Sequence, residues 1–261
     1  MNNILTQELG AIIKHWPAWF MLGNQDIKLR YRRSSLGPLW ITISMAVTIY
    51  SMGFLYGHLF KINVEHYFPY LATGIIGWSL ISTMITESNS IFIESESYIR
   101  NQETFLSLFM MRMILRNTIV FLHNIVVFIP LIFIFHLPIG FNMLLIIPGL
   151  LLIAINGFCW GSLLAIIGTR YRDFAQIVNS IVQVIFFLTP IMWMPSLLPA
   201  KYQWCVLYNP FEQFLNLIRL PMMNQMFGSL TLIIVFAVTL LGFALYAICM
   251  KKHKYNIVFW L

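Results

Sequence analysis

Three arginines lie within four positions at the entrance to the first long apolar run of the chain. Arg30, Arg32 and Arg33 belong to the stretch RYRRSSLGPLW, and residues 34–60 carry no formal charge. Guanidinium groups bind phosphate oxygens through two parallel hydrogen bonds, which an ammonium group cannot reproduce. The pattern therefore allows two interpretations: the arginines handle an anionic ligand, or they orient the chain in a membrane and contact ordinary anionic lipids.

The composition places these arginines in a membrane protein. The chain has 261 residues, of which 59% are hydrophobic and 10% are charged, whereas soluble domains carry roughly a quarter charged residues. Too little polar surface remains for a water-soluble globule. The net charge of +7 is expected to face anionic lipid and the cytoplasm, so no nucleic acid partner is predicted.

The sequence predicts an all-α integral membrane protein with six transmembrane helices. A span needs about 20 mainly apolar residues, and six segments without Lys, Arg, Asp or Glu qualify, at about 38–60, 67–86, 117–135, 142–168, 174–194 and 230–250. Thirteen of the 16 basic residues then fall on the side that carries both termini. The positive-inside rule places that side in the cytoplasm. The expected organisation is a cytoplasmic segment over 1–37 and one six-span domain over 38–261.

The segment before the first span is predicted to lie on the inner membrane interface. Apolar side chains recur at helical spacing from Leu5 to Phe20, with Glu8 outside that stripe. Such a pattern is typical of an amphipathic helix that lies in the plane of the interface. The dipeptide Gly37-Pro38 then allows the chain to break before the span begins.

The stretch between the fifth and sixth spans is too long for a hairpin and too interrupted by proline to cross the membrane. Over 195–229 we expect short re-entrant helices that dip into the outer leaflet, where protein shields their backbone. Asn209 can cap the helix of NPFEQFLNLIRL, Pro210 suits its first position, and Glu212 falls at the capping-box position.

The energy for any active transport has to come from outside this chain. No predicted span contains a carboxylate of the kind that proton- and sodium-coupled carriers use. The phosphate-binding motif GxxxxGK[ST] is absent, so ATP hydrolysis would need a separate subunit. No His/Cys spacing predicts a metal site, and Glu94, Glu96 and Asp173 do not form the acidic cluster that an intramembrane transferase needs. The chain is therefore not expected to be an enzyme.

Four motifs along the chain resemble those of ABC-transporter permeases that export lipid-linked polysaccharides. They are RYRRSSLGPLW at 30–40, RYRDF at 170–174, LTPIMW at 188–193 and NPF at 209–211. This family serves the export of O-antigen, capsule and teichoic acid. The arginine-rich opening with LGPLW at 36–40 is most similar to the O-antigen permeases.

The resemblance implies a function and a set of partners. It implies a permease that moves undecaprenyl-pyrophosphate-linked O-antigen polysaccharide, used in lipopolysaccharide biosynthesis, from cytoplasm to periplasm across the bacterial inner membrane. Two copies would form the pore, and two copies of a nucleotide-binding ABC ATPase subunit would bind ATP and Mg²⁺, with no cofactor in this chain itself. That subunit would dock on a helix at roughly 98–110 that includes Arg100, Glu103 and Phe105. Capsule or teichoic acid export, and a membrane enzyme acting on polyprenyl-linked glycans, are the alternatives.

Candidate substrate contacts follow from the same resemblance. A pyrophosphate headgroup would meet an entrance formed by Arg30, Tyr31, Arg32 and Arg33. A glycan needs aromatic faces and small hydroxyl groups along its path, and the first span offers such side chains at three- and four-residue steps. The predicted lining consists of Trp40, Ser44, Tyr50, Ser51, Phe54 and His58, with Phe186 and Phe187 in the fifth span. Membrane anchoring and helix packing are the competing explanation for these side chains.

Overall fold

The computed structural model describes residues 3–30, 32, 34–59, 63–101 and 105–261, with the backbone alone for Asn3, His58 and Asn101. Within these residues the regular structure is helical and contains no strand, which confirms the predicted all-α class. The helices in chain order are α1 (Asn3–Lys14), α2 (Trp16–Arg30), α3 (Leu39–Leu59), α4 (Val64–Ser88), α5 (Ile91–Glu94), α6 (Glu96–Asn101), α7 (Leu106–Ile125), α8 (Ile129–Ile134), α9 (Ile146–Arg170), α10 (Phe174–Leu188), α11 (Gln203–Leu207), α12 (Pro210–Met222) and α13 (Ser229–Trp260).

Five helical segments of the described chain are long and apolar enough to cross a membrane. They are Leu39–Gly57, Val64–Ser88, Leu106–Ile134, Phe141–Arg170 and Ser229–Trp260. The apolar helix α10 is only 15 residues long and occupies the place of the fifth span, predicted over 174–194. It stops at Leu188 because Thr189 precedes Pro190 and has the extended backbone that a proline favours in its predecessor.

The third spanning segment begins earlier than the sequence suggested. Helix α7 starts at Leu106, whereas the apolar run that predicted this span starts at position 117. Arg112 and Arg116 therefore lie on the spanning helix itself and not in a connection. Helix α7 places their guanidinium groups at one end of the bundle, one helical turn apart.

The bundle is organised around α4. In the spanning window of α4, 78% of the residues are buried, and the helix contacts α3, α7, α9, α10 and α12. Small residues allow this close approach: Gly53 of α3 faces the Phe68 ring, and Gly157 and Gly161 of α9 face side chains of α4 and α7. Gly53 and Gly57 form one Gly-x-x-x-Gly pair, and Gly157 and Gly161 form another. Members of both pairs therefore mediate packing within one chain.

Both ends of the chain meet at one end of the bundle. The Glu8 carboxylate lies 2.8 Å from the Lys254 ammonium, so α1 is paired with the last turns of α13. We call the bundle end that carries these two residues the terminal face, and the end that carries Pro190 and Arg219 the distal face. At 32 residues, α13 is about 48 Å long, which exceeds the roughly 30 Å hydrocarbon core. Its apolar C-terminal turns, with Ile257 fully buried, pack on the terminal face.

The N-terminal segment consists of two helices, α1 and α2. A turn at His15 separates α1 from α2. Glu8, which the helical spacing leaves outside the apolar stripe, is buried, with 0% of the residue exposed. Besides Lys254, its carboxylate accepts a hydrogen bond from the backbone N–H of Ser107 at 3.0 Å. These partners are distant in sequence, so local spacing could not reveal them.

Candidate functional site

Five charged side chains meet where α2, α4 and α7 converge at the terminal face. We call them the terminal charge cluster: Asp26, Arg30, Glu87, Arg112 and Arg116. Arg112 binds Asp26 through two parallel hydrogen bonds of 2.7 and 2.6 Å, and Arg116 bridges Asp26 at 3.3 Å and Glu87 at 2.8 Å. The Arg30 guanidinium lies 3.8 Å from the other oxygen of Glu87. Three guanidinium groups face two carboxylates, so the cluster has an excess positive charge.

The cluster holds α2 against α7. Gly23 of α2 makes this approach possible, because a Cβ atom there would lie 3.0 Å from the Leu115 side chain and 3.1 Å from the Arg112 carbonyl oxygen. The segment that follows α2 is thereby placed beside the first turn of α3. At its start the Arg30 side chain is 51% exposed, and Arg32 is exposed as well. Two residues of the predicted entrance, Tyr31 and Arg33, lie outside the described residues.

The break before α3 depends on a glycine. Gly37 has a φ of +56°, a left-handed conformation that residues with a Cβ atom adopt only at a cost. Its amide donates to the Ser34 hydroxyl at 3.2 Å, and the Pro38 carbonyl accepts from Ile41 in the first turn of the helix. The predicted break at Gly37-Pro38 is confirmed.

Helix α3 presents one continuous exposed face. Trp40, Ser44, Ser51 and Phe54 are all exposed on it, and Val47 in their midst is 61% exposed. The Ser44 hydroxyl donates to the Trp40 carbonyl one turn back, at 2.6 Å, which leaves its oxygen free to accept a further hydrogen bond. The structure thus brings four of the predicted lining residues to a single surface; the side chain of His58 is not described.

Tyr50 and Phe186 do not share such exposed surfaces. The Tyr50 hydroxyl donates to the Val127 carbonyl at 3.3 Å, and its ring packs on Phe68, which turns the side chain towards the bundle. Phe186 packs on the Trp78 ring with the centroids 5.9 Å apart. Phe187 is 64% exposed and is the one of the two α10 phenylalanines that faces outwards.

A non-helical segment at the distal face, residues 189–194, is bound by side chains from α4 and α12. The Pro190 carbonyl accepts hydrogen bonds from the Tyr70 hydroxyl and from Arg219 Nη2, each at 2.7 Å. The Met192 carbonyl accepts from the Tyr67 hydroxyl at 2.6 Å. Irregular backbone at membrane depth is stable only when protein groups make its hydrogen bonds. These three donors do so for the Pro190 and Met192 carbonyl groups.

Arg219 belongs to a buried ion pair, which we call the distal pair. Its guanidinium lies 2.8 Å from the Glu212 carboxylate, with only 3% and 6% of the two side chains exposed, and it stacks 4.0 Å above the Tyr70 ring. Asn209 caps α12 by accepting from the Phe211 N–H at 3.0 Å, as predicted. The capping-box role of Glu212 is wrong, because its carboxylate turns to Arg219 seven residues along the helix.

The predicted docking helix over 98–110 is interrupted. Helix α6 ends at Asn101, and Phe105 has extended backbone with φ −77° and ψ 128°. Phe105 stacks on His15 at 5.9 Å and lies 5.5 Å from the Lys254 ammonium, contacts that tie the break to both termini. Arg100 is half-exposed and pairs with Glu96 at 2.7 Å, while Glu103 lies outside the described residues.

The charged groups that organise both faces escaped the sequence-based reasoning. Asp26 was not distinguished from other charges of the N-terminal segment, and Arg112 and Arg116 were counted only as signals of orientation. In the sequence, Arg219 is only one of the three basic residues that fall on the outer side. One signal was present: Glu87 stands at the end of an otherwise uncharged span, where an acid needs a cationic partner.

The helices of this chain form a membrane-spanning bundle whose terminal face carries a cluster of arginines. The chain belongs to the ABC-2 type transporter family, whose sequence profile matches residues 17–223. An O-antigen export system permease protein RfbA from Klebsiella pneumoniae is 24% identical over 244 residues, which cover 90% of this chain and 92% of that protein. A second protein of that name and organism is 24% identical over 199 residues, which cover 75% and 76% of the two chains.

Proposed function

We propose that the chain is the permease of an ATP-driven exporter that moves undecaprenyl-pyrophosphate-linked O-antigen polysaccharide from cytoplasm to periplasm. It lies in the bacterial inner membrane with both termini in the cytoplasm, so the terminal face is the entry side. Two copies form the pore, and a partner ABC ATPase subunit binds ATP and Mg²⁺ and supplies the energy.

One observation carries this proposal: exposed arginines stand at the end of an exposed, uncharged face of α3. Arg30 and Arg32 offer guanidinium groups to a pyrophosphate, and the excess positive charge of the terminal cluster favours its approach. Beyond them, Trp40, Ser44 and Ser51 offer an aromatic face and hydroxyl groups without fixed charge. Such a surface can contact successive sugar rings without holding any one of them tightly.

The choice of polysaccharide rests on the relatives. Capsule and teichoic acid precursors present similar anionic headgroups, so the entrance geometry does not separate them from O-antigen. The two relatives named as O-antigen export permeases favour that class. An enzyme acting on polyprenyl-linked glycans is disfavoured, because ABC-2 type transporter family members are transport subunits.

A surface-export assay tests the entrance. In cells that lack the chain, we expect surface polysaccharide to disappear and its lipid-linked precursor to accumulate. Replacing Arg30, Arg32 and Arg33 together by lysine keeps the charge but removes the two-pronged contacts, and should lower export at least tenfold. The matched control replaces Lys251 and Lys252 by arginine, a charge-neutral change at the same face. Normal export by the triple variant contradicts the pyrophosphate role.

Affinity purification tests the energy source. The chain, isolated gently from its native membrane, should retain a stoichiometric ATPase with a phosphate-binding loop. Absence of such a subunit, under conditions that preserve other membrane complexes, contradicts the exporter class altogether and revives the enzyme.

A further inference from the structure

An apolar cavity of about 530 Å³ is lined by residues of α4, α9, α10, α12 and α13. Val178 and Val182 of α10 and Ile153 of α9 form its inner walls, while Phe211 of α12 lines it as well. Asn156 also lines the cavity; its amide nitrogen donates to the Leu152 carbonyl and the Thr239 hydroxyl, and its buried Oδ1 has no partner among the described residues. Since the cavity lies among membrane-spanning helices, the occupant that fits its chemistry is hydrocarbon.

A basic depression lies next to the end of this cavity that is nearer the terminal face. Phe174, the first residue of α10, lines both the apolar cavity and the depression. Arg170, Tyr171, Arg172 and Asp173 line the depression beside it. An apolar cavity that adjoins a basic depression matches an amphiphile with an anionic head.

The net charge of the basic depression determines which headgroup charge it can bind. The Arg170 guanidinium lies 5.4 Å from the Tyr171 ring centroid and 5.2 Å from that of Trp260, which fixes its position. Within the described part of the chain, no carboxylate lies within ion-pair distance of Arg170 or Arg172. With Asp173 nearby, the depression carries one net positive charge, which complements one phosphodiester better than a more highly charged pyrophosphate.

The dimensions of the cavity match one acyl chain. It runs along α10 from Phe174 to Ile185, a length of about 17 Å at 1.5 Å per residue, and half of the hydrocarbon core is about 15 Å thick. A methylene group occupies a volume similar to that of a water molecule, roughly 30 Å³. A cavity of about 530 Å³ therefore has room for one chain of ordinary length, but not for a long polyprenyl tail.

We propose that this site binds an anionic glycerophospholipid of the inner leaflet, with its phosphate on Arg170 and Arg172 and one acyl chain in the cavity. Basic pockets between transmembrane helices bind lipid headgroups in this manner. The lipid fills the space that separates α10 from α13. The bound lipid packs against α10. Its site is separate from the substrate entrance at Arg30.

Lipid titration of the purified full-length chain, followed by native mass spectrometry, tests the site. Phosphatidylglycerol should bind with one lipid per chain, and phosphatidylcholine at least tenfold more weakly. The double variant Arg170→Gln, Arg172→Gln should bind phosphatidylglycerol roughly thirtyfold more weakly, the loss expected for two basic contacts at a membrane surface. Val182→Phe, which fills the cavity, should also abolish the tight binding.

Two matched control variants distinguish lipid binding at this site from nonspecific attraction of anionic lipid to the chain. Lys251→Gln with Lys252→Gln removes two exposed charges from the same face, and Val184→Phe enlarges an exposed side chain of α10 outside the cavity; both should bind as the unaltered chain does. If the arginine double variant does not fold, Arg172→Gln alone carries the test, because only Arg170 contacts Trp260.

Four results would overturn the proposal. They are unchanged binding in the arginine and cavity variants, an equal loss in the lysine control, binding of polyprenyl phosphate in place of phosphatidylglycerol, and a disulfide between two copies carrying Ile181→Cys. The last result would mean that a second chain covers the cavity.

Discussion

At the terminal face three arginines share two carboxylates, and one of those arginines is half-exposed, whereas at the distal face one arginine faces one carboxylate with both side chains almost fully buried. The terminal cluster retains positive charge that a ligand can meet. The distal pair retains none, and Arg219 Nη2 instead donates to the Pro190 backbone carbonyl. The difference agrees with the proposal that an anion is received at the terminal face, while the distal ion pair holds the 189–194 segment in place.

The largest expected effect comes from breaking the distal pair. Arg219→Gln leaves the buried Glu212 carboxylate without its partner and frees the Pro190 carbonyl, and should lower the free energy of unfolding by about 3–5 kcal/mol. Thermal unfolding of the purified chain in detergent measures this. The control adds Glu212→Gln to the same variant and should recover a large part of the loss. Equal stability of the single and double variants would mean that the pair is not coupled.

Removing Asp26 breaks the terminal cluster but should be less damaging. Its side chain is 11% exposed and Arg112 is 21% exposed, so water can partly solvate the freed arginines. Asp26→Asn should cost about 2 kcal/mol and detach α2 from α7. Limited proteolysis should then cleave at Lys28 or Arg30 faster than in the unaltered chain, with Asp26→Glu as the charge-preserving control. An unchanged cleavage rate would mean that α2 is held by apolar contacts alone.

A glycine at the distal face gives an intermediate effect. A Cβ atom on Gly74 would lie 2.8 Å from Arg219 Nη2 and 3.0 Å from the Ile191 carbonyl oxygen, so the segment around Pro190 would have to shift. Gly74→Ala should destabilise the chain by about 1–3 kcal/mol. Gly57→Ala is the control, because its Cβ would meet ordinary contacts at 3.4 Å or more. If both variants unfold at the same temperature, the distal segment is more adaptable than its hydrogen bonds indicate.

The smallest effect on stability is expected where the effect on function is greatest. The Arg30–Glu87 contact is long and half-exposed, so Arg30→Gln should change the free energy of unfolding by about 0.5 kcal/mol or less. Arg100→Gln, equally exposed and also paired with one glutamate, is the control for stability. Surface polysaccharide should nevertheless fall in the Arg30 variant. A stability loss as large as that of the distal pair would remove the contrast between the two faces.

The sequence predicted those features that depend on composition and on short-range patterns. The helical class, the break at Gly37 and the Asn209 cap follow from apolar runs, turn chemistry and capping preferences, and all three are confirmed. The positions of Glu8, Glu212 and Arg219 could not be predicted in the same way. Each position depends on an ion pair or hydrogen bond whose partners come together only when the helices pack. The spacing of residues along the chain therefore does not predict it.

The proposed lining shows the same division. An exposed face on α3 follows from the periodicity of its polar and aromatic side chains, and the structure has such a face. Tyr50 is the neighbour of Ser51 in α3, but its side chain is turned towards Val127 and Phe68. The reason is that α7 and α4 pack on that side of α3. Which neighbours cover a helix depends on tertiary packing, which the periodicity alone cannot give.

The accessibility of Ser51 to water in the working transporter tests the central claim most directly. In a chain with Cys205→Ser, a thiol introduced by Ser51→Cys should react with a membrane-impermeant maleimide while the partner ATPase is supplied with ATP. Leu151→Cys, an equally exposed position on α9, is expected to face lipid and should stay unreactive. Labelling of Ser51→Cys that falls when long lipid-linked glycan is present is the predicted result. No labelling at Ser51→Cys under any of these conditions would contradict a transport path along α3.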